Sequence, residues 1–82
     1  MPYKIVYYKS ILCPRCIPTN RMLKAFRQKH PDAAIEVVEI ATHPKRAKEA
    51  GIRHVPTIVI GEHRLEEAVP LAKLEALVFE DA

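Results

Sequence analysis

A short, apolar, β-rich run leads directly into the only two cysteines of the chain. The run extends from Tyr3 to Tyr8 and is apolar at nearly every position, a pattern typical of a strand that is buried on both faces. Cys13 and Cys16 follow within the sequence SILCPRCIPT, and a helical pattern begins with them. The chain is therefore expected to open with a strand, a cysteine loop and a helix.

The remaining pattern predicts three further strands and two further helices. The first helix runs from Pro14 to about Lys29 and ends at His30, because proline disfavours a helical conformation of the residue before it. A strand, a helix and a strand in this order predict a right-handed parallel crossover. The later elements are a strand at Ile35–Ile40, a short helix from Pro44 closed by Gly51, strands at Val55–Ile60 and His63 to about Glu66, and a helix from Pro70 to about Phe79. The predicted order is βαβαββα in a single domain of residues 1–82.

Pro18 fits the first helix poorly. It lacks the N–H that would bond to the carbonyl group of Pro14 in a regular helix. We therefore expect either an irregular first turn or a regular helix that effectively begins at Pro18.

Length and charge restrict the classes of function. Eighty-two residues allow one small core, and no segment has the length and apolar character of a signal sequence or a membrane span, so the expected location is the cytoplasm. The formal charge is +3, and the basic residues are scattered apart from a cluster that is typical of a solvated helix face: Lys45, Arg46, Lys48 and Arg53. We expect a monomer that binds neither nucleic acid nor a membrane.

The sequence CPRC predicts two cysteines of different reactivity. The start of a helix offers unpaired N–H groups and the positive end of the helix dipole, which favour a thiolate at Cys13. Pro14 begins the helix, and Arg15 adds a cation that also lowers a thiol pKa. Cys16 lies one turn further in and faces less water. In a reducing compartment such a pair is more often catalytic or metal-binding than structural, and we expect Cys13 to be the nucleophile and Cys16 the resolving cysteine.

Two other uses of the cysteine pair remain open. Cys13 and Cys16 could supply half of a tetrahedral zinc or copper site, completed by two of three histidines: His43, His54 and His63. These histidines lack the close spacing of a second ligand pair, and Arg15 would repel a metal ion. A binding module with inert cysteines would show ordinary thiol pKa values and no exchange with a small disulfide. Redox exchange without a bound metal is the favoured interpretation.

The chain has CPRC at the start of a helix and HVPT (His54 to Thr57) at the start of a later strand. This combination resembles the thioredoxin and glutaredoxin superfamily, and the resemblance covers nearly the whole chain. The resemblance implies a thioredoxin-like α/β fold with a four-stranded mixed sheet flanked by three helices. It also implies a thiol–disulfide oxidoreductase with no bound cofactor, whose redox-active disulfide joins Cys13 and Cys16. A cis peptide bond before Pro56 and a substrate-binding segment of Val55, Pro56 and Thr57 are further implications. The implied partners are disulfide-containing proteins and a dithiol reductase.

Sequence details place the chain between the branches of that superfamily. Pro14 follows the first cysteine as in the glutaredoxin motif CPYC, but Lys9 lies four residues before Cys13 rather than three, and the Gly-Gly-Asp segment of glutaredoxins has no counterpart. Leu12 stands where thioredoxins have tryptophan, and Tyr7 stands where they have a buried aspartate. The chain is therefore interpreted as a small glutaredoxin-like thioredoxin that reduces protein disulfides. A glutaredoxin with glutathione as co-substrate is the alternative.

Two more residues are candidates for the site. His54 directly precedes Val55-Pro56, where a titrating imidazole would influence nearby sulfurs. Leu12 directly precedes the first cysteine. Other polar and charged residues near these motifs, among them Glu66 and Glu67, are expected to be surface groups.

Overall fold

The computed structural model describes residues 3–79, which form four strands and three helices. The elements are β1 (Ile5–Lys9), α1 (Cys16–Lys29), β2 (Ile35–Glu39), α2 (Pro44–Glu49), β3 (Thr57–Ile60), β4 (His63–Leu65) and α3 (Leu71–Val78). This is the predicted βαβαββα order, and the bounds differ from the predicted ones by at most two residues. No helix within residues 3–79 is long and apolar enough to cross a lipid bilayer.

The strands form one mixed sheet in the order β2-β1-β3-β4. β1 pairs in parallel with β2 and antiparallel with β3, which in turn pairs antiparallel with β4. β1 is therefore an interior strand. Its alternating side chains Ile5 and Tyr7 are buried on one face of the sheet, and Tyr8 is buried on the other. The predicted burial of this strand on both faces is confirmed.

The main core lies between the sheet and the helices α1 and α3. Its buried residues come from alternate positions of β1 and β3 and from the inward faces of the two helices: Ile5, Tyr7, Met22, Leu23, Phe26, Ile58, Ile60, Leu74 and Val78. Inward-facing positions of α1 recur at intervals of three and four residues, as an amphipathic helix requires. This packing holds α1 against β1 and β3, with Cys16 at the start of the helix.

The prediction that α1 begins at Pro14 is wrong. The helix begins at Cys16, because the residues from Cys13 to Arg15 form tight turns instead. The N–H of Cys16 donates to the carbonyl of Cys13 at 3.1 Å, and the N–H of Ile17 donates to the carbonyl of Pro14 at 3.2 Å. Pro18 is then the third helical residue, where a missing N–H breaks no intrahelical bond. The expectation of an irregular start is thus confirmed, and it places Cys16 in the first turn of the helix.

One later boundary also differs from the predicted one, while the bounds of α2 agree with the prediction. β3 begins at Thr57 rather than Val55, since Pro56 has no N–H to donate to the sheet. α2 does begin at Pro44, and Gly51 follows it with φ of +69°, the left-handed conformation expected there. The guanidinium of Arg64 donates to the carbonyls of Ala50 and Gly51 at 2.5 and 3.3 Å and so fixes the end of α2 against β4.

Candidate active site

The loop between β1 and α1 presents Cys13 at the carboxyl end of the interior strand. Within this loop the N–H of Cys13 donates to the carbonyl of Ser10 at 3.1 Å, and the N–H of Leu12 lies 3.3 Å from the Ser10 hydroxyl oxygen. These short-range bonds hold a compact turn whose apolar side chains point outwards. Cys13 therefore occupies a defined position even though it lies outside any regular element.

The sulfur of Cys13 is partly exposed and lies against the loop that precedes β3. Its thiol donates to the carbonyl oxygen of Val55 at an Sγ to O distance of 3.6 Å. The peptide bond between Val55 and Pro56 is cis, and the ring of Pro56 is buried. The structure thus brings Cys13 to Val55, which lies 42 residues further along the sequence and directly precedes Pro56.

Cys16 is buried, in contrast to the partly exposed Cys13, because only 1% of its side chain is exposed. Burial raises the pKa of its thiol, and the hydrogen bond with the neighbouring Cys13 thiol acts in the same direction. Hydrogen bonds from the backbone of Ser10 and from the hydroxyl of Tyr7 act against this increase. Both cysteines are free thiols. A molecule arriving from solvent meets Cys13 first.

Tyr7 and Asn20 form a polar pair behind Cys16 that sequence reasoning did not identify. The Tyr7 hydroxyl lies 2.7 Å from Oδ1 of Asn20 and 3.4 Å from the carbonyl oxygen of Cys16. The pKa of Tyr7 is raised far above its ordinary value, mainly by burial and next by the hydrogen bond with Cys16. One signal was available in the sequence, since Asn20 lies four residues after Cys16 and so shares its helix face.

Exposed apolar side chains lie on both sides of Cys13 along the chain. Leu12 is 84% exposed, Ile11 is 76% exposed and Ile17 is 50% exposed. Leu12 was expected near the site from its position in the sequence, whereas Ile11 and Ile17 were not identified. We call these three residues the apolar rim.

A cleft of about 330 Å³ lies beside Arg15 and Pro56. Its lining comes from the start of α1, from the segment before β3 and from the segment after β4: Arg15, Pro18, Pro56, Glu66, Glu67 and Ala68. Arg15 therefore faces a region that also contains two carboxylates. Glu66 and Glu67 are exposed, as expected, but their place beside the site could not be read from the sequence.

His54 and Thr57 lie at the two ends of the turn that carries Val55 and Pro56. The Thr57 hydroxyl is buried and donates to the carbonyl oxygen of His54 at 2.6 Å, so this side chain stabilises the turn. The imidazole of His54 is exposed, with Nε2 at 3.8 Å from a carboxylate oxygen of Glu66. In this structure His54 therefore contacts the acidic wall of the cleft.

The histidines considered as metal ligands are not assembled around the cysteines. Nδ1 of His43 interacts with the Thr42 hydroxyl at 2.9 Å, and His54 faces Glu66. Across residues 3–79, no group of three or more histidine, cysteine, aspartate or glutamate side chains converges as a metal site would require. The arrangement of the described residues gives the zinc or copper interpretation no support.

No protein-family model matches the chain. A thioredoxin of Methanocaldococcus jannaschii is 38% identical over 58 residues, which are 70% of this chain and 68% of that protein. The solution structure of reduced desulfothioredoxin from Desulfovibrio vulgaris Hildenborough is 28% identical with a TM-score of 0.76, covering 94% of this chain and 79% of that one. Mitochondrial thioredoxin 3 from Saccharomyces cerevisiae has the same fold, with a TM-score of 0.77 at 21% identity over 93% of this chain and 76% of that one.

Proposed function

Since the chain belongs to the thioredoxin family of thiol–disulfide oxidoreductases, we propose that it reduces disulfides in other proteins. In this proposal Cys13 is the attacking thiol and Cys16 is the resolving thiol. One observation carries the assignment: Cys13 is accessible and faces the Val55 carbonyl at 3.6 Å, whereas Cys16 is buried behind it.

The reaction consists of two exchanges. The Cys13 thiolate attacks one sulfur of the target disulfide, a mixed disulfide forms, and the other target sulfur leaves as a thiolate that takes up a proton. Cys16 then loses its proton and attacks the Cys13 sulfur. A disulfide between Cys13 and Cys16 forms, and the second target sulfur leaves and is protonated. The target gains two electrons and two protons, and the protein loses the same number.

Access and proximity determine the order of these steps. A target disulfide in solution cannot reach the Cys16 sulfur without opening the helix start, so the first bond forms at Cys13. Once the mixed disulfide exists, Cys16 is held beside it, and its attack is intramolecular and therefore strongly favoured over attack by a thiol in solution. The buried position of Cys16 is thus compatible with a role in the second step only.

The apolar rim supports a protein as the target. Large apolar side chains that are grouped and exposed are characteristic of surfaces that bind another protein. Leu12 and Ile11 lie directly before Cys13, so a target that buries them brings its own disulfide to the sulfur. We propose that these contacts contribute to the affinity for protein disulfides.

The cleft beside Pro56 supports a dithiol reductase rather than glutathione as the electron donor. Glutathione carries two carboxylates and one ammonium group, and its net charge is therefore negative. Glu66 and Glu67 place two negative charges on one wall of the cleft, against one positive charge from Arg15. The resulting repulsion is screened by salt because these groups are exposed, so it opposes glutathione binding without preventing collision.

Reduction of the disulfides of insulin with two alternative electron donors tests the proposed function. One reaction contains thioredoxin reductase and NADPH, and the other contains glutathione, glutathione reductase and NADPH. We expect NADPH oxidation to depend on this protein in the first reaction and to exceed that in the second. Turnover with glutathione alone would contradict the proposed donor, and failure of the wild-type protein to exchange with any disulfide would contradict the proposed function itself.

A further inference from the structure

Behind Cys16, the buried hydroxyl of Tyr7 meets the exposed amide of Asn20. Tyr7 lies in the interior strand and is 2% exposed, and its hydroxyl lies 2.7 Å from Asn20 Oδ1. Asn20 opens into a cleft of about 370 Å³ that Lys9 and Lys24 also line. The pair therefore connects the surroundings of a buried thiol to a cleft that is open to solvent.

In the resolving step Cys16 needs a nearby group that stabilises its negative charge, and the Tyr7–Asn20 pair is placed to do so. Cys16 has to become a thiolate in a buried position, which is unfavourable for a charge. The Tyr7 hydroxyl lies 3.4 Å from the carbonyl oxygen of Cys16, and among residues 3–79 the titratable groups that act on the Cys16 thiol are Cys13 and Tyr7. Cys13 has no thiol proton once it is part of the mixed disulfide. Tyr7 is then the titratable neighbour that can still donate a hydrogen bond to the sulfur.

We infer that Tyr7 is the hydrogen-bond donor that stabilises the Cys16 thiolate during the resolving step, and that Asn20 is its positioning residue. The inference rests on the proposed function, because it assigns a role within the second exchange. It concerns the rate of that exchange rather than the first attack by Cys13.

The geometry allows the direction of the Tyr7–Asn20 hydrogen bond to reverse. A tyrosine hydroxyl has one proton to donate and can also accept. While Cys16 is a thiol, the Tyr7 proton goes to Asn20 Oδ1 and the hydroxyl oxygen is free to accept. When the thiolate forms, a half turn of the exposed Asn20 amide brings Nδ2 to the hydroxyl oxygen. Asn20 then donates to Tyr7, and the Tyr7 proton turns to the Cys16 sulfur.

Tyr7 acts as a donor and not as a base. Burial, followed by the hydrogen bond with Cys16, raises its pKa well above the ordinary value, so the hydroxyl keeps its proton in the pH range of thiol exchange. The proton that Cys16 loses is released to solvent, and the leaving target thiolate takes one up. The Cys16 thiol therefore reacts with the mixed disulfide. The products are the Cys13–Cys16 disulfide and one target thiol.

Stopped-flow reaction with 5,5′-dithiobis(2-nitrobenzoate) separates the two exchanges in the full chain. Attack by Cys13 releases the first coloured thiolate in a second-order phase, and attack by Cys16 releases the second in a first-order phase. We expect Tyr7→Phe to slow the second phase about tenfold near neutral pH, the effect of one hydrogen bond to a charged group, and to shift its pH profile upwards. The first phase is expected to stay unchanged. Asn20→Ala is expected to slow the second phase less, since the Tyr7 proton remains available.

Tyr8→Phe is the matched control, because Tyr8 is the adjacent buried tyrosine and faces the other side of the sheet. We expect neither phase to change in this variant. An unchanged second phase in Tyr7→Phe would overturn the inference, and so would an equal slowing of both phases, which would indicate general damage to the fold. Wild-type protein that releases no coloured thiolate would instead overturn the proposed function.

Discussion

At the scale of single residues, three positions in sequence separate two thiols with very different surroundings. Cys13 lies in a turn before the helix and is open to solvent, while Cys16 begins the helix and is almost completely buried. The burial that raises the pKa of Cys16 also hides it from any disulfide in solution. Accessibility, more than the cysteine motif itself, therefore supports the roles proposed for the two cysteines.

Alkylation of the native, reduced protein with iodoacetamide measures this difference. We expect Cys13 to be modified at least about tenfold faster than Cys16, because a buried thiol reacts only when the structure opens. Peptide mapping after a short reaction identifies the modified cysteine, and the same reaction in denaturant provides the control in which both should react. Equal modification of the two cysteines in the native protein would contradict the assignment.

At the scale of the elements, the core between α1, α3 and the sheet holds the site in place. Phe26 is the largest fully buried side chain of this core and lies on the same face of α1 as Cys16. The position of Cys16 therefore depends on how firmly α1 packs against β1 and β3. Loss of this packing should lower the free energy of unfolding first, without directly changing the contacts within the cysteine loop.

Phe26→Ala is expected to reduce the free energy of unfolding by about 3–5 kcal/mol, since it removes a buried ring and leaves a cavity. Ile17→Ala is the matched control, because it shortens an exposed apolar residue of the same helix and should change stability by no more than about 0.5 kcal/mol. Urea unfolding followed by circular dichroism provides both values. Equal effects of the two substitutions would show that Phe26 does not belong to the core.

A second link between elements joins α3 to the end of α1. The carboxylate of Glu75 lies 2.6 Å from His30 Nε2 and 3.0 Å from Lys29 Nζ. The hydrogen bond with His30, followed by that with Lys29, lowers the pKa of Glu75 below its ordinary value. A carboxyl group with a lowered pKa stabilises the fold above its ordinary pKa, and this contribution is lost as pH falls through the folded-state value.

Glu75→Gln should therefore destabilise the protein at neutral pH, and the difference from wild type should shrink as the solution is acidified from about pH 7 to about pH 3. Thermal unfolding at several pH values measures this difference. Glu67→Gln, at an exposed site in the cleft beside Pro56, is the control and should show no comparable pH dependence. A constant difference between wild type and Glu75→Gln over this range would contradict the proposed role of the carboxylate.

At the scale of the whole molecule, the order of the elements and the cysteine pair were predictable from the sequence. Helical and strand periodicities are local, and CPRC and HVPT each fall beside an element that the periodicity already indicates. The resemblance to the superfamily then joined these two segments into one site. The structure brings Cys13 and Val55 into contact, and the bond between Val55 and Pro56 is cis, as the resemblance implied.

Other features depend on tertiary contacts that no local pattern encodes. The start of α1 was predicted too early, because Pro14 is an equally good residue for a turn and for the beginning of a helix. The Tyr7–Asn20 pair joins residues that are 13 positions apart, and it forms only because α1 packs against β1 in the tertiary structure. Glu66 reaches the cleft for a similar reason, since the segment after β4 passes the start of α1.

The central claim is that Cys13 forms the bond to the target and that Cys16 breaks it. Incubation of Cys13→Ser and Cys16→Ser with an oxidised protein substrate, followed by mass spectrometry of any covalent complex, tests this claim most directly. The account predicts that Cys16→Ser accumulates a complex linked through Cys13, and that Cys13→Ser forms no complex and reduces no substrate. A Cys13→Ser variant that still reduces the substrate, or that is captured through Cys16, would contradict it.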